Sequence, residues 1–209
     1  MRKYKYLFFL IITAAIFASG MWVGEIVAGA HVDSIFRMQE GLQVSTSAIG
    51  LQNEILGGDV CGVDVFEITE DKFELGRALA NLEAQRGYND PDVILLKNKY
   101  SLYSIQQYLL VLKQRDECGS EVVPIFFFYD NANAKDDSQV QGYVLDYVYR
   151  THPTQVATYA LSMNAENAAT KALMEKWDVD SGPTLVIEGE KYEGILEASE
   201  VFDAAGISS

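Results

Sequence analysis

The stretch Gly182-Pro-Thr-Leu-Val-Ile-Glu-Gly-Glu-Lys-Tyr-Glu-Gly194 decides the fold of this 209-residue chain. Its first half is typical of a strand that a proline opens, because Thr184–Ile187 is an unbroken run dominated by β-branched and aliphatic residues. Gly189 and Glu190 then favour a tight turn, after which residues 191–194 return. The stretch therefore predicts a β-hairpin with a proline at the start of its first strand.

The sequence around this hairpin alternates between strand and helix patterns. The aromatic-rich apolar run 122–129 is typical of a strand buried on both faces. The remaining predicted elements are a helix over about 139–150, a strand over 155–161, a helix over 165–177 and a last helix over 197–205. In the first of these helices we expect Val140, Val144, Tyr147 and Val148 to face inward. Residues 120–209 are therefore predicted to form an α/β domain in the order βαβαββα.

This order, with Gly182, Pro183 and Thr184 and with the glycines at 189 and 194, resembles the thioredoxin fold. In that family the proline is cis and lies against the active site. The resemblance thus implies a cis-proline groove at residues 182–184, and such a groove could hold an extended peptide. The resemblance covers residues 120–209, less than half of the chain.

The residues expected at the thioredoxin active site carry no sulfur. The family has C-x-x-C in the loop between the first strand and the next helix, and the corresponding slot here is Lys135, Asp136, Asp137 and Ser138. Thiol–disulfide exchange needs one thiolate to attack and a second sulfur to resolve. We therefore expect no thioredoxin-type oxidoreductase activity, and we expect that the protein is not an enzyme.

Composition excludes several other classes of function. The chain has 16 Lys and Arg against 30 Asp and Glu, a formal charge of −14, so it lacks the basic surface that nucleic-acid binding requires. Its 2 Cys and 2 His are too few for the usual zinc or iron–sulfur sites. The acidic loop 130–138 lacks the spacing of an EF-hand. We expect no metal and no cofactor.

The N-terminus predicts a membrane anchor. Arg2, Lys3 and Lys5 precede an uncharged run over residues 6–24. We expect residues 6–28 to enter the membrane, with the N-terminus in the cytoplasm and the bulk of the chain extracytoplasmic, in a single-pass protein of the cell membrane. The alternative is a signal peptide cleaved near residues 28–30, although the uncharged run is longer than a usual signal core.

The segment between the anchor and the α/β domain is predicted to be helical. We therefore divide the chain into residues 1–30, an extracytoplasmic helical region over 31–119, and residues 120–209. Within the helical region, Ile35, Leu42, Ile49 and Leu56 repeat every seven residues. A second helix is expected over about 70–86. A third is expected from Asn89 or Asp90 to Cys118. Its face at helical spacing is Leu96, Tyr100, Tyr103, Gln107 and Leu110, which Leu95, Leu102 and Leu109 widen, and we expect this helix to be largely buried. A helical hairpin or bundle is the main interpretation, and a parallel intermolecular coiled coil is the alternative.

Cys61 follows the end of the first predicted helix, which stops at Gly57 and Gly58, and Cys118 ends the third. In an up-down-up arrangement both cysteines lie at the membrane-distal end, so we predict a structural disulfide between them in an oxidising compartment. The pair has no C-x-x-C spacing, which argues against a catalytic dithiol.

A homodimer could form through two features of the N-terminal half. Gly20 and Gly24 make one G-x-x-x-G, which lets membrane helices approach closely. The stripe of Ile35, Leu42, Ile49 and Leu56 offers a second contact.

These patterns leave three hypotheses about function open. The first is a membrane-anchored, redox-inactive module that binds a protein or peptide partner or acts as a scaffold. The second is an accessory of a thiol–disulfide oxidoreductase that uses Cys61 and Cys118. The third is a structural envelope protein that assembles through its anchor and its helical stalk.

Overall fold

The computed structural model describes residues 6, 9–22, 60–63, 65–133 and 135–208. The chain divides into two units, Met1–Gly41 and Leu42–Ser209.

In the first unit, residues 9–22 form helix α1. Its large apolar side chains are exposed, Phe17 and Trp22 among them. Over the described residues, no helix combines the length and the apolar character needed to cross a bilayer. Because the predicted anchor over residues 6–28 includes residues outside the described ones, it stays a prediction.

The homodimer stays a prediction for the same reason. Gly20 lies in α1. The other residues invoked for it lie outside the described residues: Gly24, Ile35, Leu42, Ile49 and Leu56.

The second unit begins with helices and ends with an α/β layer. A short 3₁₀ turn, Val60–Gly62, precedes the long helices α2 and α3. The elements are α2 (Val65–Arg86), α3 (Pro91–Cys118), β1 (Val123–Tyr129), α4 (Lys135–Thr151), β2 (Val156–Ser162), α5 (Ala168–Lys176), β3 (Thr184–Ile187), β4 (Glu190–Glu193) and α6 (Ala198–Ala204). From β1 to α6 the predicted order βαβαββα is confirmed.

The four strands form one sheet in the order β2-β1-β3-β4. β1 runs parallel to β2 and antiparallel to β3, and β3 and β4 form the predicted hairpin. Phe128 at the end of β1 pairs with Thr184 at the start of β3, while Ile125 near the beginning of β1 pairs with Ile187. The residue that follows the proline therefore lies beside the carboxyl end of β1.

Alternation along β1 creates two apolar cores, one on each face of the sheet. Phe126 and Phe128 point to one face, where Leu110 and Val111 of α3 contribute to the core. Ile125 and Phe127 point to the other, where the core includes Leu145 and Val148 of α4 and Val201 and Phe202 of α6. The predicted boundary between residues 119 and 120 separates α3 from β1 along the chain, yet the first core crosses it.

The ends of α3 are set by the residues that the sequence indicates. The Asp90 carboxylate accepts hydrogen bonds from the N–H groups of Asp92 and Val93, and Pro91 is the first helical residue. Gly119 ends the helix with φ of 67°, a left-handed conformation that suits glycine.

The predicted main face of α3 is confirmed, because its members are buried: Leu96, Tyr100, Tyr103, Gln107 and Leu110. The expectation that three further leucines widen this buried face is wrong, since Leu95, Leu102 and Leu109 are 45%, 45% and 57% exposed. On α4, Val140 and Tyr147 are also exposed. That helix buries Ser138, Gln141, Leu145 and Val148, so the inward position expected for Val148 is confirmed. The Gln141 side-chain oxygen accepts a hydrogen bond from the N–H of Leu196 at 2.7 Å.

The predicted disulfide between Cys61 and Cys118 is present, with 5.6 Å between the two Cα atoms. It joins the 3₁₀ turn to the last residue of α3. The Gln114 amide nitrogen donates to the carbonyls of Val60 and Val63 at 2.6 and 2.8 Å, so the turn is held against α3 by hydrogen bonds as well.

A buried lysine supports the outer edge of β2. The Gln155 carbonyl and the Met163 N–H both bond to β1. Because successive residues of a strand point their backbone groups to opposite sides, the Thr158 carbonyl points away from β1. The ammonium group of Lys72 on α2 donates to that carbonyl and lies 3.8 Å from the centre of the Tyr159 ring. Lys72 is 1% exposed, and this burial lowers its pKa to about 7.

We predict that Lys72 makes the stability of the chain depend on alkaline pH. The pKa is lower in the folded state than its ordinary value of 10.5, so between about pH 7 and pH 10 the unfolded chain binds the extra proton. The free energy of unfolding should therefore rise as pH increases from 7.5 to 9.5, by at most about 1.4 kcal/mol per pH unit from this group. Urea unfolding at several pH values measures the slope.

The Lys72→Met variant is the matched comparison, since it keeps an unbranched apolar chain of similar length. Its slope between pH 7.5 and 9.5 should be smaller than that of the unaltered chain. Equal slopes would show that Lys72 keeps its ordinary pKa in the folded protein.

Candidate functional site

The candidate site lies where β1 ends and β3 begins. The peptide bond between Gly182 and Pro183 is cis, as the thioredoxin resemblance implies. A Cβ at position 182 would stand 2.8 Å from the Asp130 nitrogen and 3.1 Å from the Met163 sulfur. Glycine is therefore required at position 182, because the chain there packs directly against the residue that follows β1.

The backbone around the proline is only partly satisfied within the chain. The Pro183 carbonyl accepts a hydrogen bond from the Gly194 N–H at 2.8 Å, which closes the base of the β3–β4 hairpin. Gly182 is half-buried, and among the described residues none bonds to its N–H or its carbonyl. A neighbouring donor and acceptor at an accessible position are the groups with which an extended peptide pairs.

The slot at Lys135–Ser138 forms the first turn of α4. Its first three residues are exposed, whereas Ser138 is buried. The Ser138 hydroxyl accepts from the Asp130 N–H at 3.1 Å and donates to the Asp130 carbonyl at 3.3 Å. Ser138 therefore holds the loop after β1 in place, and none of the four side chains of the slot contains sulfur.

Asp130 organises the loop between β1 and α4. Its carboxylate accepts hydrogen bonds from the N–H groups of Ala132 and Asn133 and from the Asn133 side chain, at 2.7, 3.1 and 2.9 Å. Partial burial acts to raise the pKa of Asp130, but these hydrogen bonds and the charge of Lys97 bring that pKa below its usual value. Asp130 is therefore a stable anion that shapes the loop.

A buried ion pair lies on the α3 side of this site. The Lys97 ammonium group and the Glu83 carboxylate are 2.5 Å apart, and Lys97 is 1% exposed. Lys97 also lies 5.8 Å from the centre of the Tyr129 ring. Burial, and then the charge of Glu83, raises the pKa of the Tyr129 hydroxyl. The pair joins α2 to α3 beside the carboxyl end of β1.

Sequence reasoning missed this pair. Lys97 stands in a helical run between Leu96 and Tyr100, and a lysine on such a face normally reaches solvent through its long stem. A glutamate fourteen residues earlier, on another helix, gives no local signal of a partner.

A second contact fixes α3 to the loop before α5. The Asn98 side-chain oxygen accepts from the Glu166 N–H at 2.8 Å. Glu166 follows β2 by four residues, so this contact also lies at the carboxyl end of the parallel strands. The N-terminal half of α3 therefore borders the candidate site.

The disulfide lies near the amino end of β1, whereas the candidate site lies at the carboxyl end of that strand. Cys118 ends α3 and comes shortly before the first residue of β1, while Pro183 lies beside the last residues of β1. Seven residues of strand span about 20 Å at about 3.3 Å each. Arg115, close to Cys118, pairs with Glu188 at 2.7 Å, just beyond the far end of β3. The two predicted features, disulfide and proline, are therefore not brought together.

Within the described part of the chain, no three His, Cys, Asp or Glu side chains converge as a metal site would require. The expectations that this protein takes no metal and no cofactor stay predictions.

Comparison with solved structures finds similarity to thioredoxins. Thioredoxin-2, described as a component of the protein secretion machinery of the malaria parasite, is 11% identical with a TM-score of 0.33, over 39% of this chain and 79% of its own. Chloroplastic thioredoxin z is 16% identical with a TM-score of 0.36, over 46% of this chain and 85% of its own. No protein-family model matches the sequence, and no curated protein matches it. The strand order and the cis-proline of this chain by themselves indicate an α/β thioredoxin-like domain, and helices precede it.

We predict that the Lys97–Glu83 pair is coupled. Lys97→Met leaves the Glu83 carboxylate buried without its partner and should lower the free energy of unfolding by about 3–5 kcal/mol. Adding Glu83→Leu should restore most of this loss, because the double variant buries no charge. Urea unfolding of the two single variants and the double variant measures the coupling. If the two single losses simply add in the double variant, the pair is not coupled.

Proposed function

We propose that this protein is a membrane-anchored, redox-inactive thioredoxin-like module that binds an extended segment of a partner protein at the carboxyl end of β1. The observation that carries the proposal is the backbone of Gly182, which is half-buried beside the cis-proline and has no partner among the described residues.

The geometry around Gly182 supports binding through backbone hydrogen bonds. Asp130 and Met163 pack directly against Gly182. The Gly194 N–H, after the β3–β4 hairpin, donates to the Pro183 carbonyl. The N–H and carbonyl of Gly182 are thus held in fixed positions before a partner arrives. An extended segment would gain affinity from main-chain pairing, while nearby side chains would select its sequence.

The absence of thiol chemistry at this site is part of the proposal. The slot at the start of α4 supplies an ammonium group, two carboxylates and a buried hydroxyl, none of which can form a mixed disulfide. The two cysteines are joined to each other near the amino end of β1, away from Gly182.

Anchoring in the cell membrane is supported by the N-terminal sequence. Residues 6–24 carry no charge, and Arg2, Lys3 and Lys5 precede them. In α1 the large side chains are exposed, with Trp22 at 72%, and a contiguous apolar surface of this kind favours lipid over water. On this proposal the N-terminus is cytoplasmic and the disulfide-containing unit is extracytoplasmic, where disulfides persist.

We predict that Gly182→Ala weakens peptide binding. The new Cβ would press against the Asp130 nitrogen at 2.8 Å and displace the backbone that pairs with the peptide. Peptides selected from a random display library on the full chain in detergent should bind this variant at least about tenfold more weakly, a change of about 1.4 kcal/mol.

The matched control is Gly142→Ala, whose Cβ would meet only the Phe127 ring at an ordinary 3.9 Å. It should bind the selected peptides as the unaltered chain does. Titration of the isotope-labelled full chain should also shift the Gly182 amide resonance, which tests the site without any substitution. Selected peptides that leave this resonance unmoved, or that bind both variants equally well, would place binding elsewhere.

A second candidate, a remote redox pair, is favoured by one observation. Cys61 and Cys118 are both exposed, so a partner could reach their disulfide. In an insulin-reduction assay we expect the full chain to show no turnover above the Cys61→Ser/Cys118→Ser double variant. Turnover that disappears in the double variant would favour the remote redox pair over a redox-inactive module.

A further inference from the structure

The loop between β2 and α5, residues 163–167, forms one side of the candidate site. Its first residue is Met163, whose sulfur would stand 3.1 Å from a Cβ at Gly182. The Met163 N–H donates to the Tyr129 carbonyl at 3.0 Å, so this end of the loop is held against the end of β1. The position of the loop therefore decides how Met163 packs against the Gly182 backbone.

The other end of the loop is held by α3. The Asn98 side-chain oxygen accepts hydrogen bonds from the Glu166 N–H at 2.8 Å and from the Asn167 side-chain nitrogen at 3.4 Å. Asn167 also caps α5, because its side-chain oxygen accepts from the Thr170 N–H at 2.8 Å. One side chain of α3 thus joins both the loop and the start of α5 to a helix that precedes the α/β elements.

The neighbouring residue of α3 lies beside the second loop that packs against Gly182. The Lys97 ammonium group is 5.8 Å from the centre of the Tyr129 ring. Asp130 follows Tyr129, and its nitrogen would stand 2.8 Å from a Cβ at Gly182. Two consecutive residues of α3 are therefore placed against the two chain segments that fix the glycine.

We propose that Asn98 is a positioning residue for the peptide site at Gly182, so that α3 and the α/β elements build this site together. Asn98 acts through residues 163–167, which keep Met163 against Gly182 before a peptide arrives. An ordered site binds more tightly, because binding then removes less conformational freedom. This inference rests on the proposed function, and it adds to that function a helix from outside the thioredoxin-like order of elements.

Substitution of Asn98 in the full chain tests this role. Asn98→Leu keeps the approximate volume of the side chain but removes the accepting oxygen, so the selected peptides should bind about three- to tenfold more weakly. The conservative variant Asn98→Asp keeps an accepting oxygen, and its charge lies near the N-terminus of α5. It should therefore bind within about twofold of the unaltered chain.

The matched control is Gln106→Leu, which exchanges an amide for a leucine at an exposed position of the same helix. Gln106 lies more than two helical turns beyond Asn98. This control should bind the selected peptides as the unaltered chain does.

A second readout needs no peptide. Hydrogen exchange of the Met163 amide should become at least about threefold faster in Asn98→Leu, because the loop opens locally more often when its far end is released. The exchange rate should not change in Asn98→Asp or in Gln106→Leu. The Phe127 amide in the middle of β1 should stay equally protected in every variant, which shows that each has kept its fold.

Several outcomes would overturn the inference. Equal peptide affinity of Asn98→Leu and the unaltered chain would do so, and so would a loss in Asn98→Asp as large as that in Asn98→Leu. Unchanged Met163 exchange in Asn98→Leu would show that the loop is held without Asn98. Failure of the proposed function is distinguishable, because the unaltered chain then binds no selected peptide at Gly182. The role of Asn98 in binding would fall with it, even where Met163 exchange changes as expected.

Discussion

The burial of β1 on both faces is the constraint on which the rest of this structure depends. Phe126 and Phe128 point to one side of the strand, and Ile125 and Phe127 point to the other. A strand of this composition needs an apolar layer on each face. The α/β elements supply α4 and α6 for one face, and α5 covers only part of the second. The long helix α3, which precedes the α/β elements in the chain, completes that cover.

The role of α3 explains where polar groups are buried. A helix apolar enough to lie on the sheet still carries Lys97, whose charge is compensated by Glu83 on α2. Lys72 is placed by the same packing, since α2 lies where its ammonium group meets the outward-pointing Thr158 carbonyl of β2. Neither lysine is at a surface where it could bind a charged partner. Both are instead polar groups within the contact between the helices and the sheet.

The direction of α3 also separates two regions that a thioredoxin combines. The N-terminal half of the helix borders the ends of β1 and β2, where Asn98 and Lys97 lie near the loop that begins at Asp130. The C-terminal end holds the disulfide, near the start of β1. The disulfide and the cis-proline therefore lie near opposite ends of β1. The domain keeps the cis-proline before β3 and places its only described disulfide where it fastens the 3₁₀ turn to α3.

Several features of the fold could be predicted because they depend on residues close together in the chain. The hairpin follows from the proline, the apolar run and Gly189, and the limits of α3 follow from Asp90, Pro91 and Gly119. The buried faces of the helices could not be predicted equally well. Both α3 and α4 carry apolar residues on more than one side, so periodicity did not show that Leu102 and Tyr147 face outward. In α4, Gln141 takes an inward position because it bonds to Leu196, a contact across 55 residues.

The sequence by itself determined the order of the elements, the position of the proline, the absence of sulfur in the slot at the start of α4 and the only two cysteines that could pair. Each of these is a property of residue identity or of neighbours within a turn or two. The tertiary structure alone decided that α3 shares a core with β1, that Lys72 and Lys97 are buried and that the disulfide and Gly182 lie apart. These depend on contacts between residues distant in the chain, whose energies reflect how two complete surfaces fit and are not written in any local pattern.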